Sequence, residues 1–321
     1  MNIKKKIFLI AGEPNSVNSE IIFKSWKKLS KHIQEKIYVI GNYSLLKEQF
    51  NQLNYKIELE KLKELKSIDN NKLKIIDIDL NFNNPFKVKK KDAAKYIVNS
   101  LKKGHDLAIS KNTFGLINCA ISKNLLPKKK TGVTEFLANK CNIRDNSEVM
   151  LIKNNNLSVS PITTHIDLKD VHKNINSKKI ILKIKTINKY FIKLFKKKPK
   201  IGILGLNPHN AELRKGSTEV TEIIPAINKL KKLKFKIDGP IVADTIFIKN
   251  FKKYDVIVGM YHDQVLSPFK SIFKFNGINL TLGLKYLRVS PDHGVAKDLI
   301  KKKQANYNSL YDCINFLYKF G

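Results

Sequence analysis

Val256-Ile257-Val258-Gly259-Met260-Tyr261-His262-Asp263-Gln264 places a short apolar run directly before a polar stretch that carries a histidine. Such a run, bounded by turn-forming residues, reads as a buried strand, and the carboxyl end of a strand is where an open α/β sheet meets its ligands. Comparable apolar runs stand at residues 7–10, 37–40, 73–78, 107–109 and 200–204. Between them lie stretches of helical period at 19–29, 91–103, 135–140, 217–230 and 309–318. In the second of these, Ala94, Ile97, Val98 and Leu101 share one stripe. Strands alternating with amphipathic helices predict an α/β fold with largely parallel strands.

The longest helical pattern covers 178–198, with Ile180, Ile184, Ile187, Phe191 and Leu194 on one face and lysines on the other. A basic amphipathic helix can lie on an acidic membrane, but an apolar stripe of this ordinary width packs on the chain's own core. No segment reaches the roughly 18 apolar residues of a membrane span. The apolar run at 7–11 is too short for a signal peptide and is interrupted by Gly12-Glu13-Pro14. A soluble, cytoplasmic protein without a membrane partner is the expectation.

The chain has 321 residues, enough for two domains, and carries 61 Lys+Arg against 27 Asp+Glu, a formal charge of +34. Hydrophobic residues at 42% exclude a disordered chain despite that charge. Three scattered cysteines, Cys119, Cys141 and Cys313, give no disulfide framework and fit a reducing compartment. A basic excess suggests nucleic acid, yet only Arg144, Arg214 and Arg288 are arginine, and readers of bases and phosphates favour arginine's planar fork. The lysines are dispersed and accompany many Asn and Ile, the pattern of compositional drift in an AT-rich genome. A non-enzymatic nucleic-acid-binding protein is thus the weaker reading, and no nucleic-acid partner is expected.

No G-x-G-x-x-G, P-loop or G-x-S-x-G motif is present; Gly202-Ile203-Leu204-Gly205 is only a fragment of the first. The histidines are more informative. His165, His209 and His262 each follow an apolar run, in Thr163-Thr164-His165, Leu206-Asn207-Pro208-His209 and Tyr261-His262-Asp263-Gln264. Three imidazoles can hold a catalytic metal with a position left open. Their separations carry no local spacing signal, so metal ligands and ordinary loop histidines both fit the residues alone.

Those segments, with Gly239-Pro240, Ala243-Asp244-Thr245, the run Asn279-Leu280-Thr281-Leu282-Gly283-Leu284, Arg288 and Asp292-His293-Gly294, resemble the 4-hydroxythreonine-4-phosphate dehydrogenase family of vitamin B6 synthesis. Looser matches are Gly12-Glu13-Pro14, Gly115-Leu116-Ile117-Asn118 and Thr134-Glu135-Phe136-Leu137-Ala138. The resemblance implies the two-domain isocitrate/isopropylmalate dehydrogenase-like fold, with an active-site cleft between domains and at the interface of a homodimer. We expect residues 1–128 with 290–321 in the first α/β domain, and 129–289 in the second. It implies a divalent metal (Zn, Mg or Co) on His165, His209 and His262. Substrate contacts map to Thr134, Lys270, Asn279 and Arg288. Asp244 and Asp263 are the candidates for proton handling or for orienting a ligating histidine, although Asp263 is equally read as a loop cap.

The implied reaction is NAD- or NADP-dependent oxidation of 4-phosphooxy-L-threonine, a phosphorylated small molecule, to a 3-keto acid that loses carbon dioxide to give 3-amino-2-oxopropyl phosphate. A related dehydrogenation of another phosphorylated hydroxy acid, such as a four-carbon sugar acid phosphate, is the alternative, because this sequence departs from the family in four places, one of them a glycine replaced near Asn210-Ala211-Glu212. Asn15-Ser16-Val17-Asn18-Ser19-Glu20 replaces a loop that bears two glycines and a proline in the family. Ser110-Lys111-Asn112-Thr113-Phe114 replaces a Thr-Gly-Pro segment. Val133 stands where the family has a substrate-contacting histidine.

Overall fold

The computed structural model describes residues 5–65, 71–110, 112–127, 132–143 and 147–321. The domain boundary expected between Lys128 and Lys129 lies outside these residues, as do Lys111 and Arg144. The chain divides into two compact units, Met1–Cys141 with Lys285–Gly321, and Asn142–Leu284. Thr134 and Arg288 therefore both belong to the first unit. Twelve strands are formed among the described residues: β1 (Lys6–Ile10), β2 (Ile37–Gly41), β3 (Leu59–Leu62), β4 (Leu73–Asp77), β5 (Thr113–Asn118), β6 (Val149–Lys153), β7 (Ser158–Pro161), β8 (Ile201–Leu204), β9 (Ile237–Ile241), β10 (Val256–Gly259), β11 (Ile278–Leu282) and β12 (Arg288–Pro291).

In the first unit the strand order is β3-β4-β2-β1-β5-β12, with every pairing parallel. Strands covered on both faces have no polar alternation, and β1 shows this with Ile7, Phe8, Leu9 and Ile10 all buried. The helix Lys90–Ala108 lays Ala93, Tyr96, Ile97, Leu101 and Ala108 on the sheet. Its length corrects the expected strand at 107–109: Ala108 falls on the buried stripe of that helix, and the strand begins only at Thr113. The helix Asn308–Phe320 buries Leu310, Cys313, Ile314 and Leu317.

In the second unit the order is β11-β6-β7-β10-β8-β9. Here β6 runs antiparallel to both β11 and β7, and the other pairings are parallel. Ile152, Val159, Leu204, Ile257, Val265 and Phe269 meet in one buried cluster. The helix Ser177–Phe195 buries Ile180, Ile184, Ile187, Phe191 and Leu194, the five residues of the expected stripe. Asn176 caps it by accepting from Lys179 N at 2.9 Å. Lys183 of the polar face turns inward and its Nζ donates to Glu148 O at 2.7 Å. No helix among the described residues is long and apolar enough to cross a membrane.

Candidate active site

At the carboxyl ends of β7 and β10 the second unit brings two of the three histidines together. Thr163, just past β7, donates to Met260 O through its backbone N (3.1 Å) and its Oγ1 (2.7 Å), tying the two strand exits. The His165 and His262 rings consequently lie 5.6 Å apart, inclined at 41°. His262 opens the helix His262–Phe273, and its Nδ1 lies 2.6 Å from Asp263 Oδ1. A carboxylate only accepts, so Nδ1 carries the proton and Nε2 is left with the lone pair a cation needs. Asp263 itself is largely exposed.

His209 is carried by a different device. After β8 the chain enters a turn in which His209 to Leu213 all have positive φ, between 49° and 56°. Left-handed backbone costs roughly 1–2 kcal/mol per non-glycine residue, so such a turn persists only if its surroundings hold it. The holding groups are buried. Glu219, fully shielded, accepts through Oε1 from Leu206 N (2.8 Å) and Asn207 N (2.7 Å), and through Oε2 from Asn207 Nδ2 (3.0 Å). Burial raises the Glu219 pKa, but these donors together outweigh it and leave the carboxyl below its ordinary value. Asn210 Nδ2 donates to Pro240 O at 3.1 Å, and its Oδ1 fills the space a side chain at Gly205 would occupy. Gln264 accepts from Met260 N (2.6 Å) and donates to Gly205 O (2.7 Å), linking the exits of β10 and β8.

Among the described residues no group of three or more His, Cys, Asp and Glu is assembled to hold a metal ion. The structure thus joins His165 to His262 and leaves His209 out of that pair. Asp244 stands exposed at the start of the short helix Ala243–Thr245. Lys270 lies half-buried about two turns beyond His262 on its helix. Asn279, on β11, has a buried Oδ1 with no hydrogen-bond partner, an acceptor available to a ligand's N–H or O–H.

The first unit assembles a separate group around Arg288. This residue opens β12 beside Leu116 of β5 and is 3% exposed. Its Nε donates to Asn118 Oδ1 at 2.8 Å and its Nη1 to Thr134 Oγ1 at 3.3 Å. Burial pulls its pKa down to about 10. Thr134 belongs to the helix Val133–Lys140, whose Glu135 reaches back and accepts from Gly132 N at 2.9 Å, fixing the helix start. Val133 is the first residue of that helix and is half-buried. Asn118 joins this group without being a candidate in the sequence; its position at the end of the Gly115–Asn118 motif is the signal it gives. Nearby in sequence to Arg288, Tyr286 pairs its hydroxyl with His105 Nδ1 at 3.0 Å in the same buried region.

The loop after β1 is held by its own side chains. Asn15 donates to Val88 O (2.9 Å) and accepts from Val88 N (2.8 Å), and Asn18 Nδ2 donates to Ala120 O at 2.9 Å. The surviving Gly12 has φ +80° and faces Asn18 and Ala120 so closely that no side chain fits. Val17 N donates to Val295 O at 3.2 Å, bringing this loop to the segment after Asp292-His293-Gly294. Asn18 Oδ1, Ser19 Oγ and His293 Nε2 are buried without hydrogen-bond partners. They are buried polar atoms able to pair with a bound group. A concavity of about 910 Å³ lined by Trp26, Lys27, Asn51, Tyr55 and Lys56 contains none of the residues above.

Residues 33–317 match the family described as pyridoxal phosphate biosynthetic protein PdxA. The 4-hydroxythreonine-4-phosphate dehydrogenase of Aquifex aeolicus (strain VF5) is 38% identical over 322 residues, covering 96% of this chain and 95% of that one. A chain from Oceanobacillus iheyensis, named for D-threonate 4-phosphate dehydrogenase activity, is 29% identical over 329 residues, covering 98% and 97%. The crystal structure of 4-hydroxythreonine-4-phosphate dehydrogenase from Klebsiella pneumoniae superposes with a TM-score of 0.84 at 25% identity, covering 99% of this chain and 98% of that one. Isocitrate dehydrogenase from Methylococcus capsulatus, at 11% identity and a TM-score of 0.50 over 98% of this chain and 84% of that one, shares the fold.

Proposed function

Because the chain belongs to the PdxA family of pyridoxal phosphate biosynthesis, we propose that it is an NAD- or NADP-dependent, divalent-metal-dependent dehydrogenase. Its substrate in this reading is 4-phosphooxy-L-threonine, oxidised at the secondary alcohol to a 3-keto acid that decarboxylates to 3-amino-2-oxopropyl phosphate. The observation that carries the reading is the His165–His262 pair, with Asp263 fixing the proton of His262 on Nδ1. Two imidazoles so arranged fit a divalent cation, which would supply Lewis acidity at the reacting oxygen. The hydride acceptor would be the nicotinamide ring.

The chain's own residues supply the rest. Arg288, held by Asn118 and Thr134, offers a fixed positive fork to an anionic group, and Lys270 offers a second cation. Asn279 Oδ1 accepts from the substrate's ammonium or hydroxyl. Asp244, exposed and ionisable, takes the alcohol proton as the C–H hydride departs. Asn18, Ser19 and His293 are the polar atoms we assign to the cofactor.

The third histidine comes, in this proposal, from a second copy of the chain. Exposed apolar side chains flank the candidate residues of the second unit: Ile166 and Leu168 follow His165, Leu213 follows His209, Ile248 follows Asp244, and Ile272 and Phe275 follow Lys270. Apolar groups placed beside polar site residues suit a homodimer with its active site at the interface, working in the cytoplasm. A second substrate reading rests on Val133. Valine cannot pair with a polar group, and a D-threonate 4-phosphate differs from 4-phosphooxy-threonine by a hydroxyl in place of the amine.

Purified protein with a divalent metal should reduce NAD or NADP when given 4-phosphooxy-threonine. Absence of reduction, with metal bound and the next enzyme present to remove the unstable product, would refute the main reading. Faster turnover of D-threonate 4-phosphate in the same assay would establish the second.

A further inference from the structure

We infer that Glu219 is the positioning residue for His209, acting through the backbone of the turn that carries it. The inference rests on the proposed place of His209 in the metal site and adds a residue that touches neither metal nor substrate. Its basis is the geometry of the β8 exit. Glu219 is fully shielded from solvent, and both of its carboxylate oxygens are turned to Leu206 and Asn207, the residues just before Pro208-His209. A buried carboxylate is costly unless hydrogen-bonded, and apart from its own backbone N–H its donors belong to the two residues that lead into the turn.

The backbone beyond them needs that support. From His209 to Leu213 it is left-handed, a conformation these side chains do not choose unaided. The far side is pinned independently by Asn210 Nδ2 on Pro240 O. Gln264 fastens Gly205 O to Met260 N, so the turn's root is registered against the strand exit that leads into His262. Glu219 thereby completes a chain of buried hydrogen bonds running from the His209 turn to the start of the His262 helix. Its neighbour Glu222 serves another element: it accepts from Ser177 N at 2.6 Å, at the start of the helix Ser177–Phe195.

The two glutamates allow a discriminating experiment on the full-length protein. Glu219→Gln keeps the shape but replaces one acceptor oxygen with an amide group that confronts Asn207 Nδ2. Glu219→Ala removes the carboxylate altogether, and Glu222→Gln perturbs only the neighbouring helix. Cobalt(II) affinity is measured by equilibrium dialysis, amide hydrogen exchange at Leu206 and Asn207 by mass spectrometry, and folding by circular dichroism. Supporting groups around metal ligands typically change affinity on the order of 10–100-fold. We expect a loss of that size in Glu219→Gln, with faster exchange at Leu206 and Asn207, while Glu222→Gln binds cobalt like the wild type. Folded Glu219→Gln and Glu219→Ala proteins with wild-type cobalt affinity would overturn the inference, even with a lowered melting temperature. Failure of the wild type to bind cobalt would instead overturn the metal reading, and the exchange measurement would still decide whether Glu219 holds the turn.

Discussion

Changing Asn118 to Asp would place a carboxylate where an amide oxygen now accepts from Arg288 Nε at 2.8 Å. Both residues are 3% exposed, so the new charge pair would form away from water. Unit charges about 4 Å apart attract by about 4 kcal/mol at an effective dielectric near 20. That attraction offsets the desolvation that now lowers the Arg288 pKa to about 10, and it competes with any anion Arg288 binds. If only about 1.4 kcal/mol of it is felt by the substrate, the affinity falls about tenfold. The aspartate also loses the bond that Asn118 Nδ2 donates to Cys119 O at 3.1 Å. We therefore expect Asn118→Asp to fold with that loss offset by the new ion pair and to raise KM for the phosphorylated substrate roughly tenfold, with a smaller change in kcat. Asn118→Ala separates the structural part. A hydrogen bond to a charged group contributes about 2 kcal/mol, and its loss should lower the melting temperature by about 4–8 °C for a domain of this size. Steady-state cofactor reduction across substrate concentrations, with differential scanning fluorimetry, reads both. An unchanged KM in a folded Asn118→Asp protein would show that the Arg288 charge is not spent on the substrate.

If His165 and His262 hold the metal as proposed, Asp263→Asn should weaken cobalt binding on the order of tenfold, because Nδ1 of His262 loses its carboxylate acceptor while both rings remain; equilibrium dialysis checks it. Glu20 is 1% exposed and accepts from Lys24 Nζ at 2.6 Å and Ala305 N at 2.9 Å, so Glu20→Ala should destabilise the chain by roughly 2 kcal/mol in urea unfolding. Burial holds the pKa of His105 below its ordinary 6.5, with Lys140 and Lys285 adding to the shift and Asp106 opposing it. The unfolded chain then binds that proton more readily, so stability is full above about pH 6.5 and is lost as pH falls below it. Melting temperatures followed from neutral to acid pH should fall less steeply in His105→Gln than in the wild type.

The long apolar periods are legible in the sequence, and particular residues show why other features are not. Residues 256–260 read as a strand because four apolar side chains stand together, and β10 occupies nearly that span. At 107–109 a comparable apolar group misleads, since Ala108 continues a helical stripe that began at Ala93. The strand beyond it, β5, contains Gly115 at φ +145°, a residue that weakens any strand signal although its close approach to Leu287 O requires it. Strand β7 is hidden by its composition, Ser158-Val159-Ser160-Pro161, in which burial comes from neighbouring strands. The His165–His262 pair is legible only as part of a larger set, and the structure supplies the Thr163–Met260 link that makes those two adjacent. Glu219 gives no signal, because an acidic residue in a lysine-rich chain reads as solvated until the backbone donors around it are seen.

The first unit is assembled from two stretches of chain, Met1–Cys141 and Lys285–Gly321, whereas the second is contiguous. A ribosome delivers residues in order, so β5 emerges long before β12, its parallel neighbour through Leu116 and Ile117. During that interval β5 presents an unpaired edge, and the apolar face later covered by Leu310, Ile314 and Leu317 has no partner. The contiguous unit can close in the meantime without waiting for Lys285–Gly321. Arrival of Lys285–Gly321 would then be the event that seats β12 and sets Arg288 against Asn118. In such an order the buried Arg288 is seated after the rest of its sheet, and a chain truncated before β12 would leave both an incomplete sheet and Asn118 without its guanidinium partner.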